Sequence, residues 1–151
     1  RVAACFADRA RVYAVSELRD PEAPGGWSGP HERVVEPDAS IRFGGPVAVL
    51  IGPACMSSNE SFIKMMDVMT QVVLVGERTR GASGNPRPVD LGIGVTVWLP
   101  SWRDMTPEGE CFEGVGLAPD VEIAPGPEAF MVGDPVVEKA LEVLRAKLED
   151  R

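Results

Sequence analysis

The residues best suited to chemistry in this chain lie in the stretch Ser57-Ser58-Asn59-Glu60. It follows the apolar run VAVLIG at 47–52 and precedes a segment in which Phe62, Ile63, Met65, Met66 and Met69 recur at helical spacing. A serine at such a strand-to-helix junction stands among unpaired backbone N–H groups at the positive end of the helix dipole, where an oxyanion would be stabilised. The same Ser57-x-x-Glu60 spacing is also a capping box, so the local pattern admits both a helix cap and a nucleophile. Neither the GxSxG elbow nor the GxxxxGK[ST] phosphate loop flanks it. Cys55, two residues before Ser57, reads as a small turn residue, because no basic partner is placed to lower its thiol pKa. The sole histidine, His31, lies in a Pro-rich segment with nothing near it in sequence to orient an imidazole. Of the three lysines, Lys64, Lys139 and Lys147, the nearest is Lys64, two helical turns beyond Ser57. That is about 10 Å along the axis and outside hydrogen-bond reach.

The elements that must position these residues follow from the patterning. A short helix over about 1–9 is expected to run into a strand at about 11–18, and residues 20–39, with four prolines, form a surface excursion. The VAVLIG run has the continuous apolar character of a strand buried on both faces of a parallel sheet. With a helix over about 58–70 and VVLVG at 72–76, it gives a strand, helix, strand unit with a right-handed crossover, and an α/β class. The segment 93–99 alternates as a strand and has two candidate partners, a short strand near 103–106 or the ends of the preceding loop. Asp134-Pro135 starts a last helix, to about 148, whose stripe of Val137, Leu141, Leu144 and Leu148, beside Val136, Ala140 and Val143, is expected to dock on the domain.

Composition narrows the function classes. With 151 residues and 44% hydrophobic content the chain can build one core. Its 15 basic against 23 acidic residues give a net charge of -8, which makes nucleic acid and anionic membranes poor partners. No apolar run approaches the roughly 18 residues of a membrane span, and the start lacks a signal-peptide layout, so a soluble chain of unassigned compartment is expected. Cys5, Cys55 and Cys111 match no zinc spacing; no metal or organic cofactor is expected, and one disulfide or three free thiols remain open.

Taken in order, the buried strand, the turn ending in Ser-x-x-Glu, the segment VVLVGERTRG at 72–81, the alternating strand, EGVGLAPDVEI at 113–123 and the last helix resemble the S41 peptidases. These are the tail-specific, carboxy-terminal processing and tricorn-core-like serine peptidases, on the fold shared with the Clp protease and crotonases. The resemblance covers about 45–146 and implies a ClpP/crotonase-like core with a mostly parallel sheet, here as the C-terminal part of a catalytic domain acting on peptide or protein substrates. It implies Ser57 as nucleophile and the Ser58 N–H as one oxyanion donor. The family's second donor, a glycine in a DLRGNGG-like turn, has no counterpart here, in line with an N-terminal part lying outside the sequence.

Processing proteases place a general-base lysine where this chain has Ala82. The tricorn-like branch instead uses an upstream histidine with a late glutamate, and Glu113 matches that glutamate. The resemblance therefore implies a tricorn-like set of Ser57 and Glu113 with the base outside this chain. Arg78 and Arg80, with Arg87, flank the expected cleft and could hold a substrate carboxylate; solvated loop charge is the plainer role. The rival reading is a catalytically inactive relative that binds peptide or an apolar ligand, made respectable by Ala82. An acyl-thioester enzyme of the crotonase kind fits the GExTxG and EGVGLAPD motifs less well. Self-association into a homo-oligomer is left open.

Overall fold

The computed structural model describes residues 2–149. A 3-10 turn at Ala3–Cys5 leads into β1 (Arg11–Leu18) and β2 (His31–Val35), followed by β3 (Val47–Ile51), α1 (Ser58–Asp67) and β4 (Val72–Gly76). The chain continues through β5 (Arg87–Asp90), β6 (Thr96–Leu99), β7 (Trp102–Met105) and β8 (Val121–Glu122) to α2 (Pro135–Glu149). The class is α/β with mixed sheets. β3, β4 and β8 form a parallel sheet, with Val47 opposite Val72 and Val75 opposite Val121. Two antiparallel units accompany it, the sheet β2-β1-β7 and the hairpin β5-β6.

Alternation along the parallel strands sends Ile51 and Leu74 to one face, where Ile63 of α1 covers them, and Val73 and Val75 to the other, where Ala140 of α2 covers them. A neighbouring stripe packs on the antiparallel sheet, with Met66 of α1 and Met69 just after its end against Tyr13, Ala14 and Val35. The helix that begins at the candidate serine is thus held between two sheets. Its unbranched methionines fill the irregular space between them.

The helix expected over 1–9 shrinks to one 3-10 turn, because the Ala4 and Cys5 carbonyls, which a longer helix would use, accept from the N–H groups of Asp38 and Phe43 at 2.9 and 2.7 Å. The excursion at 20–39 holds a strand: β2 pairs with β1 from Arg11↔Val35 to Ser16↔His31. Of the two partners expected for the alternating strand, the loop end is the one used, as β5; β7 pairs with β1. β3 is covered on both faces, with Val49 packed on the α1 side and Ala48 on the α2 side, but only in part, since Leu50 is 43% exposed at this edge strand. In α2 the Asp134 carboxylate accepts from the N–H groups of Val136 and Val137, but the docked face is Val136, Ala140 and Val143, while Val137, Leu141 and Leu148 are exposed. No helix among the described residues is long and apolar enough to cross a membrane. Cys5, Cys55 and Cys111 form no disulfide.

Candidate active site

Ser57 caps α1 in a backbone conformation, φ 57° and ψ −121°, that L-residues seldom adopt. Such strain persists only where the surroundings over-determine it, and here they do. The Ser57 N–H donates to Ala82 O at 2.9 Å and to Glu60 Oε2 at 3.1 Å, and the Arg80 N–H donates to Cys55 O at 2.9 Å. The turn bearing the serine is therefore laced to the segment after β4. Ser57, Ser58 and Asn59 are exposed, and Ser58 and Asn59 open the first turn of the helix. Cys55 is half-buried and packs on Ile51 and Ile63, a turn residue of the core.

Glu60 is the hub of this lacing. It has no exposed surface, and besides Ser57 its carboxylate accepts from Thr79 Oγ1 at 2.6 Å, Gly81 N at 2.7 Å and Ala82 N at 3.0 Å. Thr79 Oγ1 in turn accepts from Leu117 N at 2.8 Å, which brings in the EGVGLAPD segment. The spacing Gly-Glu-x-Thr-x-Gly thus serves one carboxylate. Gly81 (φ 70°) and Gly116 (φ 81°) sit where the two segments touch; a Cβ on Gly81 would stand 2.7 Å from Phe112 O, and one on Gly116 would collide with the Thr79 carbonyl. Gly81→Ala is expected to cost about 2–4 kcal/mol, from strain at positive φ plus overpacking against backbone. Urea denaturation of the variant against the parent measures it.

A cleft of about 280 Å³ opens beside the turn, and Ser57, Ser58, Ser83, Asn85, Arg33 and Trp102 stand on its walls. Glu113 reaches this cleft through Ser83, whose N–H and hydroxyl donate to Glu113 Oε2 at 2.7 and 2.8 Å. Trp102 Nε1 donates to Ser83 O, and the Ser101 N–H donates to Gly84 O at 3.0 Å, so the start of β7 clasps the 83–85 loop. Arg78 and Arg80 are not on the cleft walls. Arg78 donates to Gly116 O at 3.0 Å and braces the loop, while the exposed Arg80 contributes its backbone. The arginine that the cleft does hold, Arg33, lay unsuspected in the excursion. His31, first residue of β2 and exposed, does not line the cleft.

Behind the cleft, Lys64 is 3% exposed and its ammonium lies 2.7 Å from Asp104 Oδ2 and 4.5 Å from the Phe112 ring centre. Burial pushes its pKa below the ordinary lysine value, against the pull of Asp104. It is committed to the core and unavailable to Ser57. Lys139 pairs with Glu142 at 2.7 Å, and Lys147 lies in a surface groove with Pro46 and Gln71. No cluster of metal-ligating side chains occurs among the described residues.

The sequence profile of peptidase family S41 matches residues 4–123. This chain belongs to peptidase family S41. No curated protein sequence matches it. Among solved structures, the S41 chain is similar to a candidate peptidase from Parabacteroides merdae ATCC 43184, with a TM-score of 0.87 and 25% identity over 95% of this chain and 46% of that one. It shares its fold with the photosystem II D1 C-terminal processing protease (TM-score 0.59, 23% identity, 82% of this chain and 30% of that one). A candidate S41 protease from Bacteroides fragilis NCTC 9343 has the same fold at a TM-score of 0.63 and 15% identity, over 96% of this chain and 40% of that one. The S41 chain spans less than half the length of each.

Proposed function

We propose that this chain is the C-terminal part of the catalytic domain of an S41 serine endopeptidase, with Ser57 as nucleophile. The observation that carries the reading is the strained, exposed Ser57 at the N-terminus of α1 on the wall of a cleft, its backbone fixed by a buried carboxylate. In the chemistry proposed, Ser57 Oγ attacks the peptide carbonyl, and the Ser58 N–H, first in α1, donates to the oxyanion as it forms. Ala82 stands beside Ser57 where processing proteases carry their lysine, Lys64 is held by Asp104, and neither Lys139 nor Lys147 lines the cleft, which favours the tricorn-like set with the base supplied from outside this chain. Glu113 acts through Ser83, holding that hydroxyl on the wall of the cleft that Ser57 also lines. Peptide or protein is the substrate.

Ser57→Ala in the longer parent protein is expected to lower kcat/KM on the order of 1000-fold or more and to abolish labelling by a fluorophosphonate probe, while costing only the roughly 0.5–2 kcal/mol of a lost helix cap, so that the protein stays folded. Labelling that survives the substitution would remove Ser57 from the mechanism. The isolated 151-residue chain is expected to show no serine-dependent hydrolysis above its own Ser57→Ala control, since a serine hydroxyl is a weak nucleophile without a base.

Ala82 also supports the second reading, an inactive peptide-binding relative. Failure of the parent to label or hydrolyse, while still binding peptide, would select it.

A further inference from the structure

We infer that Arg33 makes the cleft beside Ser57 a carboxylate-recognition subsite, so that the preferred substrate presents a carboxylate close to the bond that is cut. The inference rests on Ser57 being the nucleophile of that cleft.

Arg33 comes from β2 and shares the cleft walls with Ser57 and Ser58; none of the other wall residues is charged. Its guanidinium carbon lies 5.1 Å from the ring centres of both Tyr13 and Trp102, so two aromatic faces fix its position. Trp102 is itself pinned to Ser83 O, which ties the arginine to the loop that shares the cleft with the serine.

Its charge is poorly matched from within. The anion nearest to it is Asp104, at 3.5 Å, and that carboxylate, with no exposed surface, already faces the Lys64 ammonium at 2.7 Å. Two cations share one carboxylate. Arg33 NH1 and both oxygens of Asp104 are buried without a hydrogen-bond partner, so the two groups approach at 3.5 Å without closing a bond, while 26% of the Arg33 side chain stays exposed and free to meet an anion in the cleft. The other carboxylates nearby are engaged, Glu60 by four donors and Glu113 by both donors of Ser83.

A guanidinium that is held in place, partly desolvated and short of anions is suited to a planar carboxylate, which it can meet with two parallel N–H donors. Its place on a chain with a net charge of -8 sharpens the contrast, because the surrounding surface repels the same anion that this point attracts. Two sources offer the group, a Glu or Asp side chain within the substrate and the free C-terminus of a peptide.

The test uses the parent protein carrying Ser57→Ala, so that binding is read without chemistry, and hexa-alanine peptides of three kinds, each labelled at the N-terminus with an uncharged boron-dipyrromethene dye. One ends in an amide, one ends in a free carboxylate, and one ends in an amide but carries a central glutamate. Anisotropy titration is expected to show at least one carboxylate peptide binding about tenfold or more tighter than the neutral one, the scale of one charge-assisted pair. Whichever carboxylate peptide binds tighter identifies the source. Adding Arg33→Met should bring the ratio to about one; Arg33→Lys, which keeps the charge and the fit against Asp104, should leave an intermediate ratio that falls as salt is raised.

A ratio near one in Ser57→Ala, or one untouched by Arg33→Met, overturns the inference, as does an equal weakening of all three peptides, which would mark Arg33 as merely structural. If Arg33→Met does not fold, Arg33→Lys with its salt series decides alone. Failure of the nucleophile is read separately, from fluorophosphonate labelling of the parent with Ser57 intact. A labelled parent without a carboxylate preference sinks this inference only; an unlabelled parent that keeps the preference sinks only the serine mechanism.

Discussion

Glu60→Ala is expected to destabilise the protein by about 3–5 kcal/mol, more than any single substitution on the cleft wall. Four donors converge on this fully buried carboxylate, and two of them, the backbone N–H groups of Gly81 and Ala82, cannot turn elsewhere when it is removed. Each buried donor left unpaired costs about 1–3 kcal/mol. Glu60→Gln should be nearly as damaging in spite of its matching shape. An amide presents two N–H groups where the site offers only donors, so one side of the carboxylate position turns from attractive to repulsive. The consequence for chemistry is separable from stability: with the lacing gone, Ser57 has no reason to keep its strained backbone, and fluorophosphonate labelling should slow even at temperatures where the variant remains folded. Urea midpoints for both variants, with labelling rates beside them, check this. A Glu60→Gln protein as stable and as reactive as the parent would mean that the capping box, and not the four-donor hub, is all that Glu60 provides.

Lys64→Met carries the second large effect. Asp104 has no exposed surface, and without Lys64 it keeps only Arg33, at 3.5 Å. Breaking a buried pair from one side typically costs about 3–5 kcal/mol, whereas replacing both partners by apolar residues of similar size is far milder. The double variant Lys64→Met/Asp104→Leu is therefore expected to be more stable than Lys64→Met alone. The pH dependence has a definite sign. Because burial lowers the Lys64 pKa below its ordinary value of 10.5, the folded protein sheds this proton before the unfolded chain does. Between those two values the unfolded state binds more protons, so Lys64 makes stability rise with pH in that alkaline window, and the penalty for its buried charge applies in full below it. Lys64→Met should remove that slope. A slope unchanged in the variant would assign the alkaline behaviour to other groups.

Local order in the chain was enough to determine the parts of the site that are contiguous. The run of apolar residues at 47–51, the Ser-x-x-Glu junction and the helical spacing after it place Ser57 at the start of α1, because strand period, capping chemistry and helix period are all written within a few residues of one another. Asp134-Pro135 marks the start of α2 for the same reason. The separated GExTxG and EGVGLAPD motifs were legible as a family resemblance, but their physical purpose, two segments closing on the carboxylate of Glu60 through Thr79, Gly81 and Leu117, was not.

What only the tertiary structure decided lies in contacts between residues far apart in sequence. Nothing near Arg33 marks it: a Pro-rich stretch hides a five-residue strand, and the arginine meets Trp102 and joins the cleft that Ser57 lines only once β2 has paired with β1 and β1 with β7. Arg78 and Arg80 sit beside the motif in sequence, yet one is spent on a carbonyl of the neighbouring loop and the other contributes its backbone. Glu113 matched a motif position, but that its carboxylate accepts from Ser83 depends on a contact 30 residues apart. The apolar face of α2 was misjudged for a like reason, since Val137 and Leu141 are as hydrophobic as Val136 and Val143 and only the position of the sheet selects between them. Periodicity tells which residues share a side of an element; which side is covered, and which charge finds a partner there, depends on the elements that arrive from elsewhere in the chain.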